Sequence, residues 1–484
     1  MSVRVQCPSC GGPVVFEVGS SMVAVCPYCR SAVARGDRSV EDLGKVAALV
    51  DSGAVLRVGL EGQSEGRKFR LTGRTQLAHP AGGVWDEWYA AFADGRWGWL
   101  SEAQGRYYLL FEQPLAAERP TLDGLEPEAE VEFAGADGTF IVAEVGTATA
   151  NGAEGELPFR LRPGETYRYA DLSADGGGFA TLAGPDDPPA LFLGRQVTLD
   201  DLGVPPDARR QVFELREVAA RRANCPSCGG PLDLRAPDRT ERVGCPYCGS
   251  LLDASAGDLS VLQALKEPPF VLQIPLGTKG TPGGTERTVV GAIRRSVTSG
   301  GQEYPWVEYL LYHPRDGFEW LICNDGHWTH AKPIPPGSAA ERKNSASCGG
   351  GWYRKFQAGV ATVRGVIGEC YWKVSVGEHA DTADFIRPPE LLSRELSTYG
   401  DTKEVNWTLG TYRTPAEVAA AFGLQKPLPA PVGVAPNQPF LHARVYKYAL
   451  GLFAALCLLG CVVSLAVPRR KVHEQSFQLR APTP

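Results

Sequence analysis

Residues 7–29 read CPSCGGPVVFEVGSSMVAVCPYC and residues 225–248 read CPSCGGPLDLRAPDRTERVGCPYC. This repeated cysteine pattern limits the folds open to the chain more than any other feature. Cys7 and Cys10 stand with Cys26 and Cys29, and Cys225 and Cys228 with Cys245 and Cys248, with 15 and 16 residues between the pairs. Two residues between cysteines, with Pro and then Gly at the bend, let a tight turn aim both sulfurs at one point. Zn²⁺ suits four such thiolates because its filled d shell imposes no geometry of its own. The spacing therefore predicts two four-cysteine zinc ribbons with two structural ions. A closed site of four thiolates has no open position for water, which argues against a catalytic zinc. Disulfides are the competing reading, and a reducing cytosol disfavours them. Neither motif sits in the strand-to-helix context of a thioredoxin-like redox pair. Segments this small cannot fold on apolar burial alone, so metal binding supplies their folding free energy. Filling both sites takes the formal charge from -6 to about -10.

The duplication extends past the cysteines. DRSVEDLGKVAALV after the first ribbon and DLSVLQALK after the second predict short amphipathic helices capped by Ser39 and Ser260, which lie 221 residues apart. Trp85, Glu87, Trp99, Leu100 and Gly105 recur at the same interval as Trp306, Glu308, Trp320, Leu321 and Gly326. GELPFRLRPGE from Gly155 parallels GECYWKVSVGE from Gly368, matching Glu156 to Glu369, Phe159 to Trp372, Gly164 to Gly377 and Glu165 to Glu378. LFLG ending at Gly194 parallels WTLG ending at Gly410.

Short alternating stretches such as YRYADL and YWKVSV, set between turns in a chain with 56 Gly, 38 Pro and two Met, predict a mainly β protein. Two small antiparallel β barrel or sandwich domains in tandem, each behind a ribbon, fit this pattern. The expected order is ribbon 1 at 1–38 and β domain 1 at 39–208. A basic connector, RRQVFELREVAARR, and ribbon 2 occupy 209–256, and β domain 2 follows at 257–425. A Pro-rich linker at 426–447, a transmembrane helix at 448–467 and a tail at 468–484 complete the chain.

The W-x-E-[WY] hairpin, the following W-L and the G-E-x-x-[FW]-[RK]-x-x-x-G-E segment resemble the bacterial family known as domain of unknown function 4178, in tandem copies each preceded by a zinc ribbon. The resemblance covers most of residues 1–425. It implies bacterial, membrane-linked company and no established activity, substrate or catalytic residue.

Tyr448 to Val467 supplies 20 residues without a charge, about 30 Å of helix and one hydrocarbon thickness. Pro468 and the basic trio Arg469, Arg470 and Lys471 end the run, and Gly451 and Gly460 offer small-residue surface for helix pairing. The basic trio outnumbers Arg444 and Lys447, which favours a cytoplasmic tail. That orientation would require export of residues 1–440 with two thiolate sites, although MSVRVQCPSCGG has no signal-peptide pattern. A single pass through the inner (cytoplasmic) membrane with cytosolic ribbons is expected.

Three function classes remain. The leading one is a membrane-anchored adaptor that binds unidentified protein partners, with divergent turns on the two ribbons as contacts: GSS beside Val14 and Phe16, and PDRTER beside Leu232 and Leu234. Nucleic-acid binding rests on Arg4, Arg30 and Arg35 and on Arg221, Arg222, Arg235 and Arg242. The net charge of -6, a pI near 5.8 and the anchor make nucleic acid an unfavoured partner. The third class is an enzyme or small-ligand binder in which Glu87 with Glu156, or Glu308 with Glu369, would work as acid and base beside the repeated tryptophans. Packing explains the same repeats, and a deep pocket converging on Glu308 or Glu369 is what would favour this class. Cys323, His327 and His330 in CNDGHWTH suggest a third metal site, but a strand would point the two histidines to opposite faces. No P-loop, dinucleotide fingerprint or Ser/His/Asp order appears.

Overall fold

In the computed structural model, described for residues 2–35, 40–50, 54–103, 105–114, 120–184, 188–206, 221–237, 239–255, 258–266, 268–439, 443–466 and 478, one architecture is built twice. Met1–Gln438 forms one unit and Pro439–Pro484 a second. In ribbon 1, β1 (Val3–Gln6) pairs with β2 (Pro13–Phe16) and β3 (Val23–Val25) with β4 (Ser31–Arg35), so each cysteine pair sits at a hairpin bend. β5 (Val40–Lys45) adds to β4. The helix expected here is thus a strand, and Ser39 lies outside the described residues. Six residues between the ribbon and buried Val46 are too few to offset helix nucleation, whereas the open edge of β4 satisfies their backbone at once.

Eight main strands follow: β6 (Arg67–Ala78), β7 (Val84–Phe92), β8 (Trp97–Ala103), β9 (Arg106–Glu112), β10 (Phe140–Leu157), β11 (Thr166–Ala174), β12 (Gly178–Ala183) and β13 (Ala190–Val197). They form two antiparallel four-stranded meanders, β6 to β9 and β10 to β13, joined edge to edge by β9 with β13 and β10 with β6. The ring is closed, which removes the free edges that a single meander would expose.

The second half repeats this arrangement. Ribbon 2 contains β14 (Arg221–Asn224) with β15 (Pro231–Leu234), and β16 (Arg242–Gly244) with β17 (Leu251–Asp253). Ser260 opens β18 (Ser260–Gln263), which pairs with β17, so it too starts a strand where a helix cap was expected. Barrel 2 consists of β19 (Arg287–Ser299), β20 (Gln302–His313), β21 (Gly317–Asn324), β22 (His327–Ile334), β23 (Gly351–Cys370), β24 (His379–Arg387), β25 (Glu390–Tyr399) and β26 (Thr402–Arg413). β22 with β26 and β23 with β19 close the ring. The two barrels meet where β10 pairs with β26 through Glu144 opposite Glu404 and Val145 opposite Lys403.

The apolar faces of the sheets point outward and are sealed by connecting segments. Leu71, Trp88, Leu100 and Leu109 lie under Leu60, Leu202 and Val204; Val142, Leu172 and Leu182 lie under Leu122, Leu125 and Phe133. In barrel 2, Leu311, Leu321 and Trp328 are covered by Ile274 and by α1 (Pro415–Ala421) with Phe422. The opposite faces look into the barrels. The rings of Trp85 and Tyr169 approach to 5.8 Å, and those of Tyr108 and Phe179 to 4.1 Å, between strands that are not neighbours in the ring. The lumen is therefore aromatic and polar.

Residues 428–438, read from sequence as part of a free linker, are docked as a strap. The Val432 N–H donates to the Asp325 carbonyl at 2.8 Å, and buried Asn437 donates its side-chain amide to the Thr329 hydroxyl at 3.1 Å. Proline rigidity makes this docking cheap in chain entropy. α2 (Ala443–Ala466) follows in the second unit, and Val445–Ala466 is 22 residues long with mean hydropathy 2.5, long and apolar enough to cross a membrane. Val467 and the basic trio lie outside the described residues, as do most of the basic connector and the tail.

Candidate functional site

All four knuckles close in one way. The N–H of the first cysteine donates to the carbonyl five residues on: Cys7 to Gly12, Cys26 to Ser31, Cys225 to Gly230 and Cys245 to Ser250, at 2.8–2.9 Å. The N–H after the second cysteine donates back to the carbonyl of the first at 2.8–2.9 Å. That donor residue takes a left-handed conformation, with φ of 73° at Gly11, 61° at Arg30, 75° at Gly229 and 75° at Gly249. Three glycines accept it freely, and Arg30 does not. Arg30→Gly is expected to stabilise ribbon 1 by about 0.5–1 kcal/mol, read as a few-fold tighter metal affinity in a chelator competition. Unchanged or weaker affinity would refute this account. The second glycine of each CPSCGG has another duty: a Cβ on Gly12 or Gly230 would lie 2.6 Å from the Tyr28 or Tyr247 ring of the opposing knuckle.

The sulfurs of each set lie within 4.8 Å of one another. Cys7 and Cys29 are 3.7 Å apart, Cys10 and Cys26 3.7 Å, Cys225 and Cys248 3.9 Å, and Cys228 and Cys245 3.8 Å. A tetrahedron with metal–sulfur bonds of about 2.3 Å has edges of about 3.8 Å, so both sets fit a four-coordinate ion. The eight cysteines are those that the spacing named. Cys29 is held down at about 6 by the hydroxyl and N–H of Ser31. Cys248, despite burial, is held at about 6 by the same groups of Ser250.

Glu156 and Glu369 have a role that spacing alone did not reveal. The Glu156 carboxylate accepts from the N–H groups of Glu17 at 2.7 Å and Val18 at 3.1 Å and from the Ser21 hydroxyl at 2.6 Å. Glu369 accepts from the N–H groups of Arg235 at 2.7 Å and Ala236 at 2.9 Å and from the Thr240 hydroxyl at 2.8 Å. Each barrel thus clasps the turn between its ribbon's knuckles. The preceding glycines are required because a Cβ on Gly155 or Gly368 would fall 2.2 or 2.4 Å from the Thr72 or Val290 carbonyl. β10 and β23 run on into the ribbons, pairing with β3 and β16. Ser21, Ala236 and Thr240 are buried, so much of the turns expected to face partners faces the barrels instead. Arg242 pairs with Asp253 at 3.1 Å and the Arg235 guanidinium donates to the Asp233 carbonyl, so these two cations of the nucleic-acid reading are engaged within the ribbon.

The acids proposed as pairs do not work together, because Glu156 and Glu369 serve the clasps while Glu87 and Glu308 face the lumens. Glu87 accepts from the Tyr89 hydroxyl at 3.3 Å, and Glu308 from the Trp306 indole at 2.6 Å. The lumen partner of each is an aspartate missed in the sequence. Asp171 accepts from Thr181 at 2.7 Å, and Asp384 from Ser393 at 2.6 Å. These two aspartates recur at an interval of 213, the interval that also separates Glu156 from Glu369. The third-metal candidates do not come together: His330 meets Glu319 at 2.7 Å, the His327 Nδ1 meets the Tyr412 hydroxyl at 2.9 Å, and Cys323 packs in the apolar layer, its thiol pushed up to about 11 by burial. Among the described residues, the two four-cysteine sets are the groups able to hold a metal.

A cavity of about 1190 Å³ is lined by both barrels, by Thr240 and Glu241 of ribbon 2 and by Val432 and Asn437 of the strap. Glu308, Asp384, Glu395 and Arg295 line it in barrel 2, and Asp171, Glu144 and Glu404 at the junction. Burial pushes Glu87 up to about 7, and burial with the nearby Glu144 charge does the same for Asp171 and Glu404. Burial opposes protonation of His79, but its hydrogen bond to Glu144 and that charge carry it above its usual range. Unfolded carboxyls titrate near 4, so between about pH 4 and 7 the folded chain holds more protons, and stability falls as pH rises through that window. His79 acts in the same direction. The metal-loaded protein is expected to melt at least about 3 °C higher at pH 6 than at pH 8, with Glu404→Gln shrinking the difference. A flat or inverted profile would contradict the assignment.

Fold and site define a class: a tandem of four-cysteine ribbon and eight-stranded barrel, followed by one apolar helix. The family described as Domain of unknown function (DUF4178) matches residues 57–199 and again residues 275–415, more than half of the chain, and the chain belongs to that family. Both matches lie in the barrel units and exclude the cysteine sets. No curated protein and no solved structure matches the chain.

Proposed function

We propose that the chain is a membrane-anchored binding protein and not an enzyme. In this reading two Zn²⁺ ions fix the ribbons, α2 crosses the inner membrane with the ribbons on the cytosolic side, and the cavity between the barrels takes a small molecule. The observation that carries the reading is the cavity, of about 1190 Å³, that Glu308 helps to line, while Glu369 is committed to its clasp. Protein docking through the ribbons is the second reading. Tyr28 and Tyr247, 67% and 54% exposed at corresponding knuckle positions, support it.

The full chain in detergent, assayed for zinc and screened by thermal shift against diverse small-molecule classes, tests the proposal. Two zinc ions and a raised melting temperature with one chemical class are expected. Absence of zinc would overturn the metal half, and no shift with any class the ligand half. Extraction of the chain from membranes by alkaline carbonate would overturn the anchor.

A further inference from the structure

We infer that the cavity between the barrels is built for an organic cation, an ammonium held by carboxylates against aromatic rings. This names the ligand class for the site proposed above and rests on that reading. Nine carboxylates and five Lys or Arg side chains line the cavity, so its walls are acidic even with every ion pair counted. Arg394 is drawn away by Glu128 at 2.6 Å and Glu341 at 3.2 Å. In barrel 2, Arg295 is shared between Glu395, at 2.6 and 2.9 Å, and Glu308, at 3.6 Å.

Other acids have no Lys or Arg partner. Asp384 is met by the Ser393 hydroxyl and the Gln357 amide, and Asp171 by the Thr181 hydroxyl. Glu404 stands opposite Glu144, whose own partners are His79 and the Tyr169 hydroxyl. Among the described residues, Asp171, Asp384 and Glu404 have no Lys or Arg in ion-pair reach. Half-buried carboxylates with no Lys or Arg beside them are costly to ionise, and an incoming cation lowers that cost.

A second observation is independent of the acids. His327, 6% exposed, lines the same cavity, and with Nδ1 on the Tyr412 hydroxyl its Nε2 has no protein partner. When Nδ1 carries the proton, Nε2 is a buried acceptor left without an N–H at the cavity wall. Trp85, Trp306, Trp320 and Trp372 line the same space, and aromatic rings suit an organic ammonium. A metal ion is the poorer occupant, because among the described residues no cavity acids converge closely enough to ligate one.

Titration of the zinc-loaded full chain in detergent with 2-phenylethylamine, 2-phenylethanol and phenylacetate, three probes of similar size, separates charge from shape. The amine is expected to bind at least about tenfold more tightly than the alcohol, with no binding of the anion. Asp384→Asn and Glu404→Gln should each weaken the amine several-fold, while the exposed Glu61→Gln leaves it unchanged. If Asp384→Asn melts well below the parent, Glu404→Gln carries the test. Equal or tighter binding of the alcohol or the anion, or displacement of the amine by Ca²⁺, would overturn the cation assignment and leave the ligand-binding reading intact. Failure of all three probes where another chemical class shifts the melting temperature would do the same, whereas failure of every class would remove both.

Discussion

Cys7→Ser combined with Cys10→Ser halves the bound metal and leaves Cys245 shielded from alkylation. Each set of four sulfurs saturates one tetrahedral ion, and each lies within 24 residues or fewer, so its closure costs far less chain entropy than a cluster spanning both ribbons. Structural zinc in small domains is worth about 10–16 kcal/mol, so ribbon 1 unfolds in the variant. Barrel 1 persists, since its ring closes through β9 with β13 and β10 with β6 and includes no ribbon strand. Cys245, fully buried in ribbon 2, keeps its own three partners. Elemental analysis and mass-spectrometric mapping of alkylated cysteines read the result. Complete loss of metal, or modification of Cys245, would show that the centres are coupled.

Glu369→Ala is expected to open ribbon 2 while sparing ribbon 1. The substitution leaves the Arg235 and Ala236 N–H groups and the Thr240 hydroxyl without their acceptor, at a cost of about 3–5 kcal/mol for three donors, two of them on buried residues. The loss is local, because the carboxylate ties one turn to one strand end. Chelator-driven metal release from ribbon 2 should accelerate at least about tenfold, amide exchange at Ala236 should rise, and ribbon 1 should be unaffected. Glu369→Gln, which keeps one acceptor oxygen, should fall between. Equal release from both ribbons would mean that Glu369 acts on the fold as a whole.

Cysteine spacing located both four-cysteine sets because knuckle geometry is local: two residues between sulfurs set the bend wherever the chain goes next. The 221-residue interval located the tandem and its tryptophans for a similar reason, since residues of one hairpin diverge together. Glu156 and Glu369 were visible as a repeat, but their partners lie 129 to 139 residues away, and no periodicity links a barrel strand to a ribbon turn. Asp171 and Asp384 carried a signal at the 213 interval, off the 221 interval of the tryptophans because the second copy has fewer residues between Gly326 and Gly368 than the first has between Gly105 and Gly155. The helices expected near residues 40 and 260 failed because segments of six and four residues are too short to offset helix nucleation, and an open neighbouring strand satisfies their backbone. The strap was read as free for want of a periodic apolar face, whereas it docks by a backbone N–H and one asparagine.

That strap lies in series between the barrels and α2. A pull transmitted through residue 439 arrives first at Asn437 and its hydrogen bond to Thr329, then at Val432 on Asp325, before any barrel strand bears load. Two hydrogen bonds loaded one after the other peel at far lower force than a β ladder loaded in shear, so the strap yields first. Because Val432 and Asn437 also wall the cavity, peeling would unroof it. In the binding reading proposed above, a molecule in the cavity and a pull on the helix would act against each other along one short stretch of chain.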